Sequence, residues 1–398
     1  MSPRTAGTVA LAGVLGWVGL VWLAIQLYGT HPPTAGFDLE LLLRAGRDVA
    51  AGRSPYDPAM LAGTAPVAET LFYSYPPVVA QVMALFAAIP SPVMFVVWSA
   101  AAVAGLGLVA RGLALRVPVA GVAPATVGLV CVALAPLMFP FAIGILFGNL
   151  DVFFPLIFGL VLIGVLPAAS SADQARAGIA AIVAAITKLH PASIGLWLLV
   201  RSIRLPGLRS AVGVAAVALV AILALSLAVG GVQPWLDYVA VVRAGSGADL
   251  VDPRNAAPAA QIALLFDGGG AGAEALARTL QVPVTILALL GTAVVAVRIA
   301  DPVESLAWAA AASLIVLPVT WYHYPSALIP FAIVALLRAG ALGPAAARRV
   351  RLTVVTAGAV AAAAIAVLPL VYVAIGLVLA AVRMSGRTGR PSAASRGS

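Results

Sequence analysis

Residues 211–229 read AVGVAAVALVAILALSLAV, a run with no charged residue and no alternation between apolar and polar side chains. A helix needs about 20 such residues to cross the ~30 Å hydrocarbon core of a bilayer. A barrel strand would be roughly 10 residues long and would alternate. Residues 8–28, TVALAGVLGWVGLVWLAIQLY, repeat the pattern. Further apolar runs cover 76–90, 93–115, 120–147, 150–168, 177–200, 211–230, 276–297, 304–320, 324–338 and 352–381, with Pro191 and Pro369 interrupting two of them. Only helices and closed barrels satisfy their backbone in hydrocarbon. The fold expected is therefore all-α, a polytopic transmembrane helical bundle of about 10–12 spans, with residues 1–384 as a single domain.

Composition excludes the main alternatives. Of 398 residues 63% are hydrophobic and 9% charged, where a soluble domain carries about 25% charged residues. The single Cys131 leaves no intrachain disulfide framework, Cys-rich zinc site or Cys-ligated cluster. The net charge of +9 comes from arginines beside apolar runs and at the C-terminus. That placement fits topology and anionic-lipid contact. Nucleic acid is not an expected partner, because no aromatic-rich basic patch is present.

Charge also sets the expected sidedness. The first run outlasts the roughly 7–15-residue core of a signal peptide and reads as an uncleaved signal-anchor. Arg201, Arg204 and Arg209 crowd one short loop. Arg298 marks a second, Arg338, Arg348, Arg349 and Arg351 a third, and Arg383 opens the tail. By the positive-inside rule these are cytoplasmic, as are both termini. Segments 29–75 and 230–275 then face outward and hold ten of the fourteen carboxylates. Two crossings between Tyr75 and Arg111 would place Arg111 and Arg116 outside, so the topology from 75 to 200 stays open. Residues 385–398 read as a disordered basic cytoplasmic tail.

The loop after the first run carries the most informative polar residues. Leu39, Leu42, Leu43, Gly46, Val49 and Ala50 share one helical face, and Glu40, Arg44, Arg47 and Asp48 the other. The pattern predicts an amphipathic helix lying in the membrane surface. Asp38 at its start suits an N-cap, a role that does not exclude chemistry. Asp57 in Ser54-Pro55-Tyr56-Asp57-Pro58 reads as a turn residue. Tyr73 and Tyr75 at the mouth of the next run read as interfacial anchors or as site residues.

Other polar residues interrupt apolar runs. Gly148-Asn149-Leu150-Asp151 is either a solvated turn or part of a cavity lining. In Thr187-Lys188-Leu189-His190-Pro191, the proline breaks a helix beside the chain's only lysine. Broken helices at membrane depth are tolerated where they line a watery cavity. Trp321-Tyr322-His323-Tyr324-Pro325 is either an aromatic belt or a functional segment. Asp249, Asp252, Arg254 and Asn255 cluster near Gln261 in the second outer loop.

Taken in order, these pieces resemble the actinobacterial polyprenyl-phosphate-mannose-dependent mannosyltransferases of the GT-C superfamily. The resemblance rests on Phe37-Asp38-Leu39, Pro55-Tyr56, Tyr75-Pro76-Pro77, Gly148 to Asp151, Lys188 with Pro191, and Trp321 with His323. The chain departs from the family in having Leu41 to Leu43 where an aromatic residue usually follows the Asp. It also has Asn149 and Asp151 for Gln and Asn, and Trp-Tyr-His-Tyr for a Trp-Asp-His-His-like segment.

The resemblance implies a GT-C fold in the cytoplasmic membrane with an outward-facing active site. The family's catalytic Asp falls on Asp38 and its active-site His on His323. The implied activity is inverting transfer of mannose, as an α-1,2-mannosyltransferase, from a polyprenyl-phosphate donor to a glycolipid or lipoglycan acceptor. Chemistry supports the pairing: a carboxylate at the membrane surface can deprotonate an acceptor hydroxyl, while cations stabilise the departing phosphate. Asp38 is thus the expected catalytic residue, with Lys188, His323, Arg44, Arg254, Tyr75, Asn149 and Asp151 as donor-phosphate or acceptor contacts. No cofactor or metal is expected. Transfer of another polyprenyl-phosphate sugar such as arabinose, a transporter or flippase, and a scaffold without chemistry remain as alternatives.

Overall fold

The computed structural model describes residues 3–30, 34–62, 72–244, 250–267 and 270–386. Every regular element among them is helical. The chain opens with α1 (Pro3–Tyr28), α2 (Phe37–Ala50), the single turn α3 (Pro58–Leu61) and the short α4 (Pro77–Ala84). Next come α5 (Ser91–Arg116), α6 (Pro124–Leu134), α7 (Phe139–Phe147) and α8 (Phe154–Val165). They are followed by α9 (Ser171–Thr187), α10 (Ala192–Arg204) and α11 (Arg209–Gly230). After α12 (Gln233–Ala244) and α13 (Pro258–Asp267), the chain closes with α14 (Ala271–Arg298), α15 (Pro302–Ile315), α16 (Ile329–Ala339), α17 (Pro344–Ala363) and α18 (Leu370–Gly386). Ser385 and Gly386 thus continue α18, and the rest of the expected tail lies outside the described residues, as does Asp249.

Among the described residues four helices, α1, α5, α11 and α14, are long and apolar enough to cross a membrane unaided; α6 with α7 makes a fifth if the pair, bent by 70°, counts as one span. That is fewer full-length spans than the ten to twelve expected from the apolar runs. The reason is local. Pro136 and Pro140 sit at the α6–α7 bend, and prolines and polar turns cut several other runs into shorter helices. The run 177–200 becomes α9 and α10, broken at Lys188 to Pro191.

The bundle has two chemically distinct ends. At one, Arg116 closing α5 makes a bidentate pair with Asp173 opening α9, at 2.7 Å. The Arg201 guanidinium donates to the carbonyls of Ala296, Ile299 and Ala300, capping α14. Arg338 pairs with Asp301 at 2.6 Å. These contacts gather the arginine-rich loops at one end. At the other end, Ser91 opening α5 donates to Glu40 of α2 at 2.5 Å, and Arg47 donates to Ser91 Oγ at 2.9 Å.

These contacts resolve the region after Tyr75. α4 has eight residues, about 12 Å of helix, and its neighbour Gln81 donates to the Ser226 carbonyl near the far end of α11. The chain therefore turns back at the α2 end before α5 makes a single passage, which brings Arg116 to the other arginines.

α2 has the expected amphipathic pattern, with Leu39, Leu42 and Leu43 fully buried. Its apolar face packs on α4 rather than meeting lipid. Gly46 permits the approach, since a Cβ there would stand 2.6 Å from the Met83 carbonyl carbon. Asn255 ties down the segment before α13: its side chain accepts from Thr320 N and donates to the Pro318 carbonyl, each at 2.9 Å.

Candidate active site

Asp38 is not the N-cap of α2. Gly36 occupies that position with a positive φ of 75° and no side-chain cap, so Asp38 is the second helical residue. Its carboxylate is thereby available, and its Oδ2 accepts from Asn149 Nδ2 at 2.6 Å. The Gly36 amide donates to the Leu146 carbonyl at 2.7 Å, so backbone as well as side chain joins α2 to the turn after α7.

That turn depends on Gly148. Its φ of 68° ends α7 in the left-handed conformation, and a Cβ there would lie 2.6 Å from Leu39 Cβ. Asn149 next caps the 3-10 turn Leu150–Phe153, its Oδ1 accepting from the Asp151 amide at 2.9 Å. One carboxamide therefore spends its oxygen on the turn and its nitrogen on Asp38, which fixes its orientation.

Asp151 is 1% exposed, which excludes the solvated-turn reading. Both its oxygens accept from Lys188 Nζ at 2.8 Å. A buried charge of this kind persists only when paired. Lys188 is delivered by the break between α9 and α10, where it adopts an extended conformation immediately after Thr187. His323 Nε2 approaches Asp151 Oδ2 at 3.5 Å, and the imidazole is 4% exposed.

The Asp38 carboxylate lies within electrostatic reach of His323, Lys188 and Asp151. Burial raises its pKa above the ordinary carboxylate value, and the Asn149 hydrogen bond and the nearby cations oppose that rise. A carboxylate held basic beside cations suits proton abstraction with charge development close by.

Five of the expected site residues, Asp38, Asn149, Asp151, Lys188 and His323, thus converge from separate segments. Tyr75 joins them, with Lys188 Nζ 5.7 Å from its ring, and its carbonyl accepts from Tyr56; neither Tyr73 nor Tyr56 is an exposed anchor. One expected residue stands apart: Arg44 is exposed on another side of α2. Arg254 pairs with Asp252 at 2.6 Å, lies 5.8 Å from the Trp321 ring and, like Asp38, is within electrostatic reach of Tyr322. Asp57 is a turn residue as expected, capping α3 through the Ala59 amide at 2.8 Å. Among the described residues no group of three or more His, Cys, Asp or Glu is placed to hold a metal ion.

The structure adds residues that the sequence reading passed over. Phe147 meets His323 edge-on at 6.3 Å between centroids, and Phe37 meets Phe147 at 4.9 Å. Tyr324 contacts both Lys188 and His323. Tyr324 sits in the segment Trp321 to Pro325, but nothing in one sequence separates a belt tyrosine from a buried one.

A family model described as Glycosyltransferase family 87 matches residues 72–320, more than half of the chain. No curated protein and no solved structure matches the chain.

Proposed function

The chain belongs to glycosyltransferase family 87, and from that premise we propose that it moves a mannosyl residue from polyprenyl-phosphate-mannose to a glycolipid or lipoglycan acceptor, with inversion, as an α-1,2-mannosyltransferase. The observation that carries this reading is the convergence of a basic-poised carboxylate, Asp38, with Lys188 and His323 at the bundle end opposite the arginine-rich loops. By the positive-inside rule that end faces outward from the cytoplasmic membrane, with both termini inside.

In the proposed step Asp38 takes the proton of the acceptor hydroxyl. The acceptor oxygen bonds to the anomeric carbon as the bond from that carbon to the phosphate oxygen breaks. The electron pair leaves with polyprenyl phosphate, which gains one unit of negative charge. Lys188 keeps one N–H beyond the two it gives Asp151, and the His323 imidazole stands beside the same carboxylate; both are suited to that phosphate. Asn149 orients Asp38, and Asp151 orients Lys188. A lipid-linked donor also accounts for chemistry performed in a membrane bundle.

The test uses membranes carrying the full chain, radiolabelled polyprenyl-phosphate-mannose and crude lipid acceptors. Label should pass to lipid with the wild type and not with Asp38→Asn. Transfer undiminished in Asp38→Asn would remove Asp38 as base. Transfer from a polyprenyl-phosphate arabinose but not from the mannose donor would overturn the sugar while keeping the reaction. Passage of donor across sealed vesicles without glycosylation would overturn the transferase reading.

A further inference from the structure

One aromatic ring touches both Lys188 and His323. Lys188 Nζ stands 4.1 Å from the centroid of the Tyr324 ring. The His323 ring meets Tyr324 edge-on, at 4.9 Å and 75°. His190, two residues beyond Lys188, lies parallel to the same ring at 5.7 Å and 7°. Tyr324 is 6% exposed, and its amide donates to the Trp321 carbonyl at 3.0 Å. It opens the 3-10 turn Tyr324–Leu328 that runs directly into α16, so the ring stands on a helix rather than on a free loop.

We propose that Tyr324 is a positioning residue, its ring holding the Lys188 ammonium, and through the stack with His190 the whole Lys188 to Pro191 break, in the geometry that meets the donor phosphate. The inference rests on the function proposed above, because it needs Lys188 to act on a phosphate. The physical basis is direct. Residues 188–191 carry no regular helix to fix them, and Asp151 fixes only the ammonium. A lysine has four rotatable side-chain bonds, so an anchor at its tip leaves its stem free to vary. A cation over an aromatic face, desolvated as here, restrains the same ammonium from a second direction, and the His190 stack on that ring restrains the backbone two residues on. His190 is 1% exposed, beside the Ser313 backbone. Its packing between Tyr324 and Phe154 ties the segment to the Tyr324 ring.

The ring, not the hydroxyl, carries this role, which sets the experiment. In membranes carrying the full chain, transfer kinetics are compared for wild type, Tyr324→Phe and Tyr324→Leu, with donor and acceptor varied separately. Tyr324→Leu should lower kcat/KM for the donor by about tenfold or more, the scale of a desolvated cation–π contact. The acceptor KM should stay within about twofold. Tyr324→Phe should restore most of the loss. Equal losses in Phe and Leu would overturn the proposal, since the hydroxyl would then matter. Equal effects on donor and acceptor would overturn it too, as would a Leu variant indistinguishable from wild type. If Tyr324→Leu does not accumulate as folded protein, His190→Phe against His190→Ala provides the second comparison, with the ring-retaining variant expected to keep donor kinetics. Wild-type activity in Asp38→Asn and Lys188→Met would instead count against the underlying reaction, separately from Tyr324.

Discussion

Asn149 donates from Nδ2 to Asp38 Oδ2 at 2.6 Å across 111 residues of sequence, while its own Oδ1 accepts from the Asp151 amide. The candidate base is thus oriented by the residue that begins the turn carrying the candidate cation's partner. Replacing Asp38 by Asn should lower transfer about 10²–10⁴-fold, the usual contribution of a positioned base. Asn149→Ala should keep the base but loosen it, giving a smaller loss in kcat. Steady-state transfer assays on the two variants check the order.

Burial raises the folded-state pKa of Asp38 above its unfolded value. Activity should therefore fall on acidification at a higher pH than an exposed carboxylate would give, and that limb should vanish in Asp38→Asn residual activity. The folded protein also holds this proton more tightly than the unfolded chain. The contribution of this group to stability is then lost as pH rises from the unfolded to the folded pKa. Asp38→Asn should consequently be no less stable than wild type at neutral pH, measured by thermal unfolding in detergent. A clear drop in its melting temperature would contradict this.

Asp151 and Lys188 form a pair with side chains 1% and 12% exposed. Lys188→Met alone leaves a buried carboxylate without its ammonium and should cost about 3–5 kcal/mol. The double variant Lys188→Met with Asp151→Leu should recover much of that stability and none of the activity. Recovery of both would show the pair to be structural only.

Gly148→Ala places a methyl group at a positive φ, with about 1–2 kcal/mol of backbone cost. The new Cβ also meets Leu39 Cβ at 2.6 Å, adding roughly 1–3 kcal/mol of overpacking. Since Leu39 adjoins Asp38, activity should fall with stability. Activity at wild-type level in Gly148→Ala membranes would refute the coupling.

The Asn255 side chain bonds Pro318 and Thr320 across the fold and Leu250 and Ala257 within its own segment, tying residues 250–257 to 318–320. Asn255→Ala strands several buried backbone groups, each at about 1–3 kcal/mol. Limited proteolysis should cut the loop near residue 250 faster in this variant than in wild type.

The sequence alone determined the solvent and the class of fold. Nineteen uncharged residues at 211–229 can satisfy their backbone in lipid only as helix, whatever surrounds them. It also marked Lys188 and His323, because a charge or an imidazole interrupting apolar sequence is costly and so is conspicuous; Asp38, in a polar loop, stood out through the family resemblance. Tertiary structure decided the rest. Apolar length does not show where a proline turns one run into two helices, so the number of full spans came out lower than expected. Pattern along α2 gave its polar face but could not choose between lipid and α4 as cover, since both are apolar. Asn149 and Tyr324 belong to the site only because distant segments meet there, and a hydrogen bond across 111 residues has no periodic trace in one chain. Arg44, six residues after Asp38, stands on another side of the helix, exposed.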